Sequence, residues 1–377
     1  MIPAKRPREE SEPSTTAAAV ALSPPVSIGG GGSDTLQKQY IETRGENDPK
    51  IVKNSLYGTS RSALGWGTPF QQAPKCSVEG YPNIHIGISS LNGVPGKDRE
   101  MPKLMAQYVK KFQCLEHCYP YHRMCDPNVW DGWKAMMQRR PEFVFTIKAN
   151  QYLTHTRRLE MDEDLAQHID NFFVQRVPLL GVHLGPVLVQ LPPNFHKNDG
   201  HLERIRAVAA RIPSTVRIAV EFRHKSWFCD EVYDVLKELK WGLVVTHNED
   251  IGESPFVITN PSFLYVRLHG AVSQYVGDYG PVLMLRWAEI IAKFVQEDPS
   301  RHVYFFLNNN ESQIGGLTSS IVDASSLTQS LAKLLPKSQA PNTAAATTTT
   351  PSSSQKPAAV ANTPTKTPPA EEVVIVD

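Results

Sequence analysis

Eight short apolar runs, separated by longer segments with helical periodicity, constrain the fold of this chain more than any other feature. Their length and their β-branched and aromatic content are typical of buried strands. The runs cover residues 83–89, 112–117, 143–149, 187–192, 217–223, 242–247, 263–270 and 302–309. Helical patterns lie near residues 99–111, 128–138, 162–176, 199–211, 229–240, 282–297 and 317–335. Strands that alternate with helices predict a parallel sheet with helical crossovers.

Eight strands of this kind predict an α/β fold of the (β/α)8 TIM-barrel type rather than an open sheet. The span that they occupy, residues 81–336, has the usual size of one such barrel. An open doubly wound sheet is the alternative, because the pattern does not itself show closure. The segment after the first run, GISSLNGVPG, lacks the glycine spacing of a dinucleotide-binding sheet.

Low-complexity segments flank the predicted barrel. Residues 1–80 contain the run STTAAAVALSPPVSIGGGGSD, and residues 337–377 are rich in Pro, Thr, Ala and Ser. Such compositions bury too little apolar surface to offset the loss of chain entropy on folding. We therefore expect a disordered tail over residues 1–80, a single barrel domain over residues 81–336 and a second disordered tail over residues 337–377.

The cysteines and the first residues of the chain indicate an intracellular protein. Five cysteines form an odd, irregular set, and the opening MIPAKRPREESEPS is charged where a secretory signal would be apolar. We expect free thiols and no membrane partner. Cys114, Cys118 and Cys125 lie near His117 and His122, which allows a zinc site, but a second well-spaced ligand pair is missing. The strand-like context favours buried thiols instead.

Seven of the eight predicted strands end in charged or hydrogen-bonding side chains. The carboxyl ends of parallel barrel strands meet at one face, where the loops build the active site. We therefore predict a functional site at this mouth. Its candidate residues are Glu116, Lys148, His155, Gln190, Glu221, Arg223, His224, Trp227, Arg267, His269 and Asn308.

Alternation along two of these strands predicts charges that point into the barrel. Glu221 and Arg223 share one side of their strand, and Arg267 and His269 share one side of theirs. Charges that face the interior must pair with one another or bind something. One interpretation is an internal ion-pair network, such as Glu221 with Arg267, and the other is a ligand site. The two are compatible, because a ligand can lie on top of a network.

The local charge predicts the class of ligand. The whole chain has a net charge of +1, so any preference for an anion must arise locally. Cations at the strand ends outnumber carboxylates: they are Lys148, Arg158, Arg223 and Arg267, against Glu116 and Glu221. Guanidinium groups suit phosphate or carboxylate. A divalent metal held by the mixed His and Glu side chains is the alternative, and no HExxH-type motif supports it.

Five segments of the predicted barrel resemble the YecE-like family, the domain of unknown function 72. They are FVFTIKANQYLTHTRRL, VLVQLPPNF, IAVEFRHKSWF, YVRLHG and VYFFLNN. The resemblance covers about residues 84–335 and implies a (β/α)8 barrel without an established general activity. The family's recurrent polar positions fall on Glu116, Lys148, Thr154, His155, Gln190, Glu221, Arg223, His224, Trp227, Arg267, His269, Asn308 and Asn309.

This chain departs from the family pattern in three loops. GISSLNGV replaces the opening Gly-Trp-x-Tyr type of motif, HCYPYHR replaces an Asn-rich segment, and the last strand ends in LNN followed by NESQIGG. The loops after the first, second and eighth strands are therefore altered, and the family's ligand does not carry over automatically.

Two functional hypotheses follow from the sequence. The first is an enzyme, such as a hydrolase, acting on a phosphate-containing substrate or a nucleic acid. Glu116 or Glu221 would be its general base, and His155, His224 or His269 its proton shuttle. The ligand-binding side chains would be Lys148, Gln190, Arg223, Trp227, Arg267 and Asn308. Trp227 is equally well explained as a core residue.

The second hypothesis is a non-catalytic binding or regulatory protein recruited through its tails. Lys5, Arg6 and Arg8 fit a short basic nuclear-import pattern, although such patterns also arise by chance, and without import we expect a cytoplasmic protein. The C-terminal aliphatic run, flanked by acids, resembles a SUMO-interacting strand, and an incidental apolar end is the alternative. The run consists of Val373, Val374, Ile375 and Val376.

Overall fold

The computed structural model of the chain describes residues 67–89, 91, 94 and 101–336, and a parallel sheet of eight strands lies at its centre. The eight are β1 (Ile84–Ile88), β2 (Cys114–His117), β3 (Val144–Lys148), β4 (Leu184–Gln190), β5 (Ile218–Glu221), β6 (Gly242–Asn248), β8 (Phe263–Leu268) and β9 (His302–Leu307), and a short ninth strand, β7 (Gly252–Glu253), follows β6 in the chain. Their order is β1-β9-β8-β6-β5-β4-β3-β2, and the short β7 pairs antiparallel with β6 at the edge of this path. A separate hairpin joins β10 (Gln313–Ile314) to β11 (Leu317–Thr318).

The two end strands of this sheet, β1 and β2, are joined by a tyrosine side chain. The Tyr108 hydroxyl donates to the carbonyl of Cys114 on β2 at 2.6 Å and accepts from the amide of Ile88 on β1 at 3.2 Å. Gly87 allows β1 and β2 to lie this close together, because a Cβ at that position would be 2.7 Å from the Cys114 carbonyl oxygen. The sheet is thus a nearly closed barrel, which confirms the predicted TIM-barrel fold over the open sheet.

Helices follow the strands at each predicted place. They are α1 (Gly67–Gln72), α2 (Met101–Tyr108), α3 (Tyr119–His122), α4 (Pro127–Met136), α5 (Glu163–Ile169), α6 (Asp199–Arg211), α7 (Asp230–Glu238), α8 (Gly280–Glu297) and α9 (Ser319–Leu334). Two of them, the short helices α1 before β1 and α3 after β2, were not predicted. Asp162 caps α5 by accepting from the Leu165 amide at 2.8 Å, as a short acceptor side chain does at a helix N-terminus. The helix predicted over residues 162–176 changes after α5 into a π-helical turn, Asp170–Val174.

Apolar side chains pack in two places, as the alternation of the strands requires. One cluster fills the inside of the barrel: Cys114, Leu188, Ala219, Val244, Phe263, Tyr265, Tyr304 and Phe306. A larger cluster lies between the outward faces of the strands and the helices. The inward positions nearer the carboxyl ends of the strands are polar, so the inside of the barrel changes character along its axis.

The folded unit begins earlier than the sequence predicts. Phe70, Cys76 and Val78 are buried, and the Cys76 amide donates to the Lys111 carbonyl at 2.7 Å. The predicted boundary at residue 81 is therefore too late. It is late because a few apolar side chains, spaced among Pro, Gly and Gln, carry no periodicity that separates them from a tail.

The predicted tail motifs lie outside the described residues. They are Lys5, Arg6, Arg8, Val373, Val374, Ile375 and Val376. All five cysteines lie in the described part of the chain, and all five are free thiols, as predicted. Among residues 67–89, 91, 94 and 101–336, there is no helix long and apolar enough to cross a membrane.

Candidate functional site at the carboxyl mouth of the barrel

Five buried polar side chains close the barrel above its apolar interior. They come from β2, from the end of β5 and from β8, and each occupies an inward position that the alternation of its strand dictates. We call this set the inner layer: Glu116, Glu221, Arg223, Arg267 and His269. Each is at most 5% exposed, so its charges must be compensated within the protein.

Arg267 lies between the two carboxylates of the inner layer. Its Nη2 is 2.7 Å from Oε1 of Glu116, its Nε donates to Oε2 of the same carboxylate at 2.9 Å, and its Nη1 donates to Glu221. Tyr265 donates its hydroxyl to Glu116 at 2.7 Å. The ion pair between Glu221 and Arg267 confirms the internal network that the sequence allowed.

Arg223 is the second guanidinium of the inner layer and extends it toward solvent. Its Nε lies 2.5 Å from Oε1 of Glu221, and its Nη1 lies 3.0 Å from Oδ2 of Asp250, a side chain that is 35% exposed. Its Nη2 lies 3.1 Å from Nε2 of His269. Gln190 accepts from both Arg223 and Arg267, at 3.5 and 3.4 Å. Each guanidinium nitrogen of Arg223 therefore has a partner, and Asp250 is the outermost of these partners.

The electrostatics of the inner layer fix its protonation states. Burial alone would raise the pKa of Glu221, but Arg223 and Arg267 together hold that pKa well below its ordinary value. Burial also opposes the charge of Arg267, and the two carboxylates more than offset this, so its pKa is raised. Burial, with the fields of Arg267 and Arg223, lowers the pKa of His269 to about 3. At neutral pH, therefore, this imidazole is neutral.

Three further side chains lie on the solvent side of the inner layer, and we call them the outer layer: Lys148, His155 and Arg158. Lys148 ends β3 and places its Nζ 4.0 Å from the centre of the Tyr121 ring. The His155 ring makes an edge contact with the same tyrosine, at 5.3 Å between ring centres. Arg158 is exposed and has a φ of 46°.

The pKa values of the outer layer report its positive field. Burial lowers the pKa of His155 to about 4, and Lys148, Arg223 and Arg158 lower it further in that order. Burial also lowers the pKa of Lys148. Three cations therefore lie near one imidazole, and His155 is neutral at neutral pH.

The structure brings nine of the predicted site residues into these two layers and their immediate contacts. They are Glu116, Lys148, His155, Gln190, Glu221, Arg223, Arg267, His269 and Asn308, the last through an Nδ2 atom 3.2 Å from Nδ1 of His269. His224 and Trp227 make their contacts elsewhere. His224 stacks on His196 with ring centres 3.9 Å apart, and the buried Trp227 stacks on Phe222 and donates to the Phe195 carbonyl.

Three residues of the mouth were not identified from the sequence. Tyr121 lies in the single-turn helix α3 and Asp250 in a turn, and both segments are too short for a periodicity that indicates which way a side chain points. Tyr265 lies inward on β8 two residues before Arg267, and the same alternation that identified Arg267 could have indicated it.

The inner layer does not have the form of a metal site. Glu116 and Glu221 already hold Arg267 where a cation would have to lie. Across the described ranges, no group of three or more His, Cys, Asp or Glu side chains is arranged to hold a metal ion. Cys118 lies beside Glu116, and burial raises the pKa of its thiol to about 11, so it is a poor thiolate ligand or nucleophile at neutral pH.

Comparisons with known proteins agree with this architecture. A family model described as protein of unknown function DUF72 matches residues 90–345. A DUF72 family protein from Enterococcus faecalis is 20% identical, with a TM-score of 0.55 over 66% of this chain and 95% of that chain. One from Thermotoga maritima is 21% identical, with a TM-score of 0.55 over 66% of this chain and 98% of that chain.

More distant structures share less of the fold. A D-psicose 3-epimerase from Clostridium cellulolyticum is 14% identical, with a TM-score of 0.40 over 66% of this chain and 96% of that chain. A score this low carries no argument about function, and identities near 20% show the fold alone. A search of curated proteins finds no match to this chain.

Proposed function

This chain belongs to the DUF72 family, which has no assigned function, and we propose that its barrel mouth binds a small ligand carrying a phosphate or carboxylate group. The ligand's anionic group lies over the outer layer, within reach of Lys148 and Arg158. The outward side of Arg223 borders the same space.

One observation carries this proposal: the cations of the outer layer have no carboxylate partners. Among the described residues, no carboxylate lies within ion-pair distance of Lys148 or Arg158. In the inner layer, which lies closer to the centre of the barrel, both carboxylates are paired with arginines. Cations grouped around one space without counter-charges repel one another, and an anion relieves that repulsion.

We propose ligand binding only, in which Glu116 and Glu221 take no part in hydrolysis. A general base must accept a proton near neutral pH, and the low pKa of Glu221 makes it a weak acceptor. Arg267 is 2% exposed and fully engaged, so its role is to hold the two carboxylates rather than to touch a ligand. The nucleic-acid hypothesis finds no added support in the described residues.

Inorganic phosphate is the probe that tests this proposal. We expect phosphate to raise the melting temperature of the full chain with saturation, because it binds the folded state only. In the double variant Lys148→Met and Arg158→Met, the concentration giving half of this effect should rise at least about tenfold, which corresponds to about 1.4 kcal/mol.

The control is Arg206→Met, which removes one positive charge from α6, where Arg206 pairs with Glu238. This variant should respond to phosphate as the wild type does. A wild type that does not respond, or a double variant that responds at the same concentration as the control, would show that the mouth is not an anion site.

A further inference from the structure

Four polar side chains point inward at the end of the barrel opposite the mouth. Tyr304 faces the barrel interior, and His302 lies two residues before it on the same side of β9. His85 is paired with Tyr304 in the register of β1 and β9, and Arg217 lies two residues before the inward-facing Ala219 of β5. We call this set the amino-end cluster: His85, Arg217, His302 and Tyr304. Inward side chains at one end of a barrel line the same opening, so these four share one location.

The side chains of the amino-end cluster contact one another through Tyr304. His85 stacks on Tyr304 with 4.8 Å between ring centres, and the His302 ring lies 6.0 Å from Tyr304 at an interplanar angle of 5°. The two imidazoles are hydrogen-bonded, with Nε2 of His85 3.4 Å from Nδ1 of His302. Arg217 reaches over the Tyr304 ring from the start of β5, with its Cζ 5.4 Å from the ring centre.

The positive charge of this cluster has no counter-charge in the protein. Among the described residues, no carboxylate lies within ion-pair distance of Arg217 or of either imidazole. The arginine next to His302 in the chain differs in this respect, because Arg301 pairs with Glu297 at 2.9 Å. Burial, His302 and Arg217 together lower the pKa of His85 to about 3, so this imidazole is neutral at neutral pH and Arg217 carries the charge.

Two polar atoms of the cluster are buried without a partner. His85 is 3% exposed and Tyr304 is fully buried, and neither Nδ1 of His85 nor Oη of Tyr304 has a hydrogen-bond partner in the described part of the chain. Such atoms are uncommon in folded proteins, because an unsatisfied buried polar group costs free energy. A hydroxyl that can donate, beside an unpaired guanidinium, favours an acceptor with negative charge.

The histidine pair can supply a further donor to such an acceptor. In a hydrogen-bonded pair of neutral imidazoles, one ring donates to the other, so only one outer nitrogen of the pair carries a hydrogen. When Nε2 of His85 is the donor, this outer hydrogen lies on Nε2 of His302. His302 and Arg217 are both half-buried, so a ligand can reach them from solvent.

We propose that the amino-end cluster binds a phosphate group, held by the guanidinium of Arg217, the hydroxyl of Tyr304 and Nε2 of His302. A tetrahedral oxyanion can accept hydrogen bonds from three directions, and an arginine can donate two parallel bonds to it. This site is separate from the anion site proposed at the mouth, because it lies at the other end of the same strands. Active sites of such barrels lie at the carboxyl face, so a ligand at the amino end is an effector rather than a substrate.

Thermal denaturation with inorganic phosphate tests this site in a chain whose mouth is altered. The starting protein is the full chain with Lys148→Met and Arg158→Met. Phosphate should still raise its melting temperature, at higher concentrations than in the wild type, because the amino-end cluster offers one fixed cation. Adding Arg217→Met should raise the concentration for half of this effect at least about another tenfold. Methyl phosphate, tested alongside, shows whether the site takes phosphate esters or the free ion only.

The matched control is Arg301→Met, which removes an equal charge beside His302 from an arginine that is already paired. In the same starting protein it should leave the phosphate response unchanged. Arg217→Lys, which keeps the charge but not the two parallel donors, should retain part of the response. Equal weakening by Arg301→Met and Arg217→Met would show that phosphate acts through the general charge of this end, and would overturn the inference.

The variant Tyr304→Phe separates a binding role from a structural one. It removes only a hydroxyl that has no partner to lose, so the melting temperature without phosphate should stay the same or rise. The concentration of phosphate for half of the effect should rise several-fold, by about 3–10, because one donor to the anion is lost. A lower melting temperature with an unchanged phosphate response would show that the hydroxyl is structural, and would overturn the inference.

The two anion sites can fail separately. Arg217→Met in an otherwise wild-type chain should keep the response at low phosphate concentration, because that response belongs to the mouth. A starting protein that does not respond to phosphate at all would overturn the amino-end site and leave the mouth intact. A starting protein that responds as the wild type does, and loses this response on Arg217→Met, would support the amino-end site and overturn the anion site at the mouth.

Discussion

The inner and outer layers of the barrel mouth differ in how their charges are compensated. In the inner layer, Glu116 and Glu221 each contact an arginine, and every charge is buried with a partner. In the outer layer, Lys148 and Arg158 have no carboxylate within ion-pair distance among the described residues. Charged residues at strand ends therefore have two separate roles here, and the presence of an arginine does not by itself indicate which one.

Burial explains why the two layers must behave differently on mutation. Removing one member of a buried ion pair leaves an uncompensated charge, which costs about 3–5 kcal/mol. Removing an unpaired cation relieves repulsion and breaks no pair. The two layers can thus be separated by measuring stability and ligand binding on the same set of variants.

The largest effect is expected for Arg267→Met. This change leaves Glu116 and Glu221 without their shared partner, so the free energy of unfolding should fall by about 3–5 kcal/mol. Denaturation with urea, followed by circular dichroism, measures this loss. A fall below about 1 kcal/mol would show that the inner layer is not a stabilising network.

Acid should weaken the inner layer. The pKa of His269 is about 3, against an ordinary value of 6.5, so below pH 6.5 the unfolded chain binds a proton that the folded protein excludes. The free energy of unfolding should therefore fall as the pH drops from about 6.5 toward 3, by up to about 1.4 kcal/mol per pH unit. The lowered pKa of Glu221 acts in the same direction, because its contribution is lost as the pH falls through the folded-state pKa.

The variant His269→Gln isolates the histidine part of this effect. Its unfolding free energy should change less between pH 6.5 and pH 5 than that of the wild type, because no imidazole remains to take up the proton. The exposed His122→Gln serves as the control and should keep the wild-type slope. Equal slopes in all three proteins would contradict the assignment of a neutral, buried His269.

A smaller effect on stability is expected in the outer layer. Lys148→Met should leave the free energy of unfolding within about 1 kcal/mol of the wild type, or raise it, because no ion pair is broken. The lowered folded-state pKa of Lys148 means that the unfolded chain binds more protons. The free energy of unfolding that the wild type loses by burying the Lys148 ammonium should therefore become smaller as the pH rises toward the ordinary lysine pKa. If Lys148→Met lowered the free energy of unfolding as much as Arg267→Met does, the two layers would not differ in how their charges are compensated.

The smallest effect concerns Asp250, which pairs with Arg223 at the border of the two layers. Asp250→Asn removes the outer partner of Arg223 and should tighten phosphate binding by a few-fold, on the order of 3–10, because the guanidinium gains a free face. Calorimetric titration measures the change. Glu249→Gln, an exposed neighbour in the same turn, should leave the affinity unchanged. Weaker binding in the Asp250 variant would contradict the placement of the anion beside Arg223.

Alternation along strands made the inner layer predictable from the sequence, and loops made the outer contacts unpredictable. A strand fixes the direction of every second side chain, so the sequence predicts that Glu221 and Arg267 point inward and allows their ion pair as one of two interpretations. Alternation does not extend to His224 and Trp227, because β5 ends at Glu221 and the chain turns into a 3₁₀ helix at Lys225–Trp227.

Tyr121 and Asp250 could not be placed from the sequence for a related reason. Both lie in connections whose backbone direction depends on contacts with distant segments, and their residue types carry no periodic signal. The helices were predicted more closely: α6 has the predicted bounds of residues 199–211, since its cap and its apolar stripe are both local.

The tyrosine that joins β1 to β2 has a consequence for the motions of the barrel. Every other neighbouring pair of barrel strands is held by a ladder of backbone hydrogen bonds, whereas this junction depends on the Tyr108 hydroxyl. Amide hydrogen exchange should therefore be fastest, within the sheet, along the facing edges of these two strands. Local opening at this junction would separate Ser89 from Cys118, the contact between the two strand ends at the mouth. The junction between β1 and β2 is thus the part of the barrel wall where the sheet would open most easily.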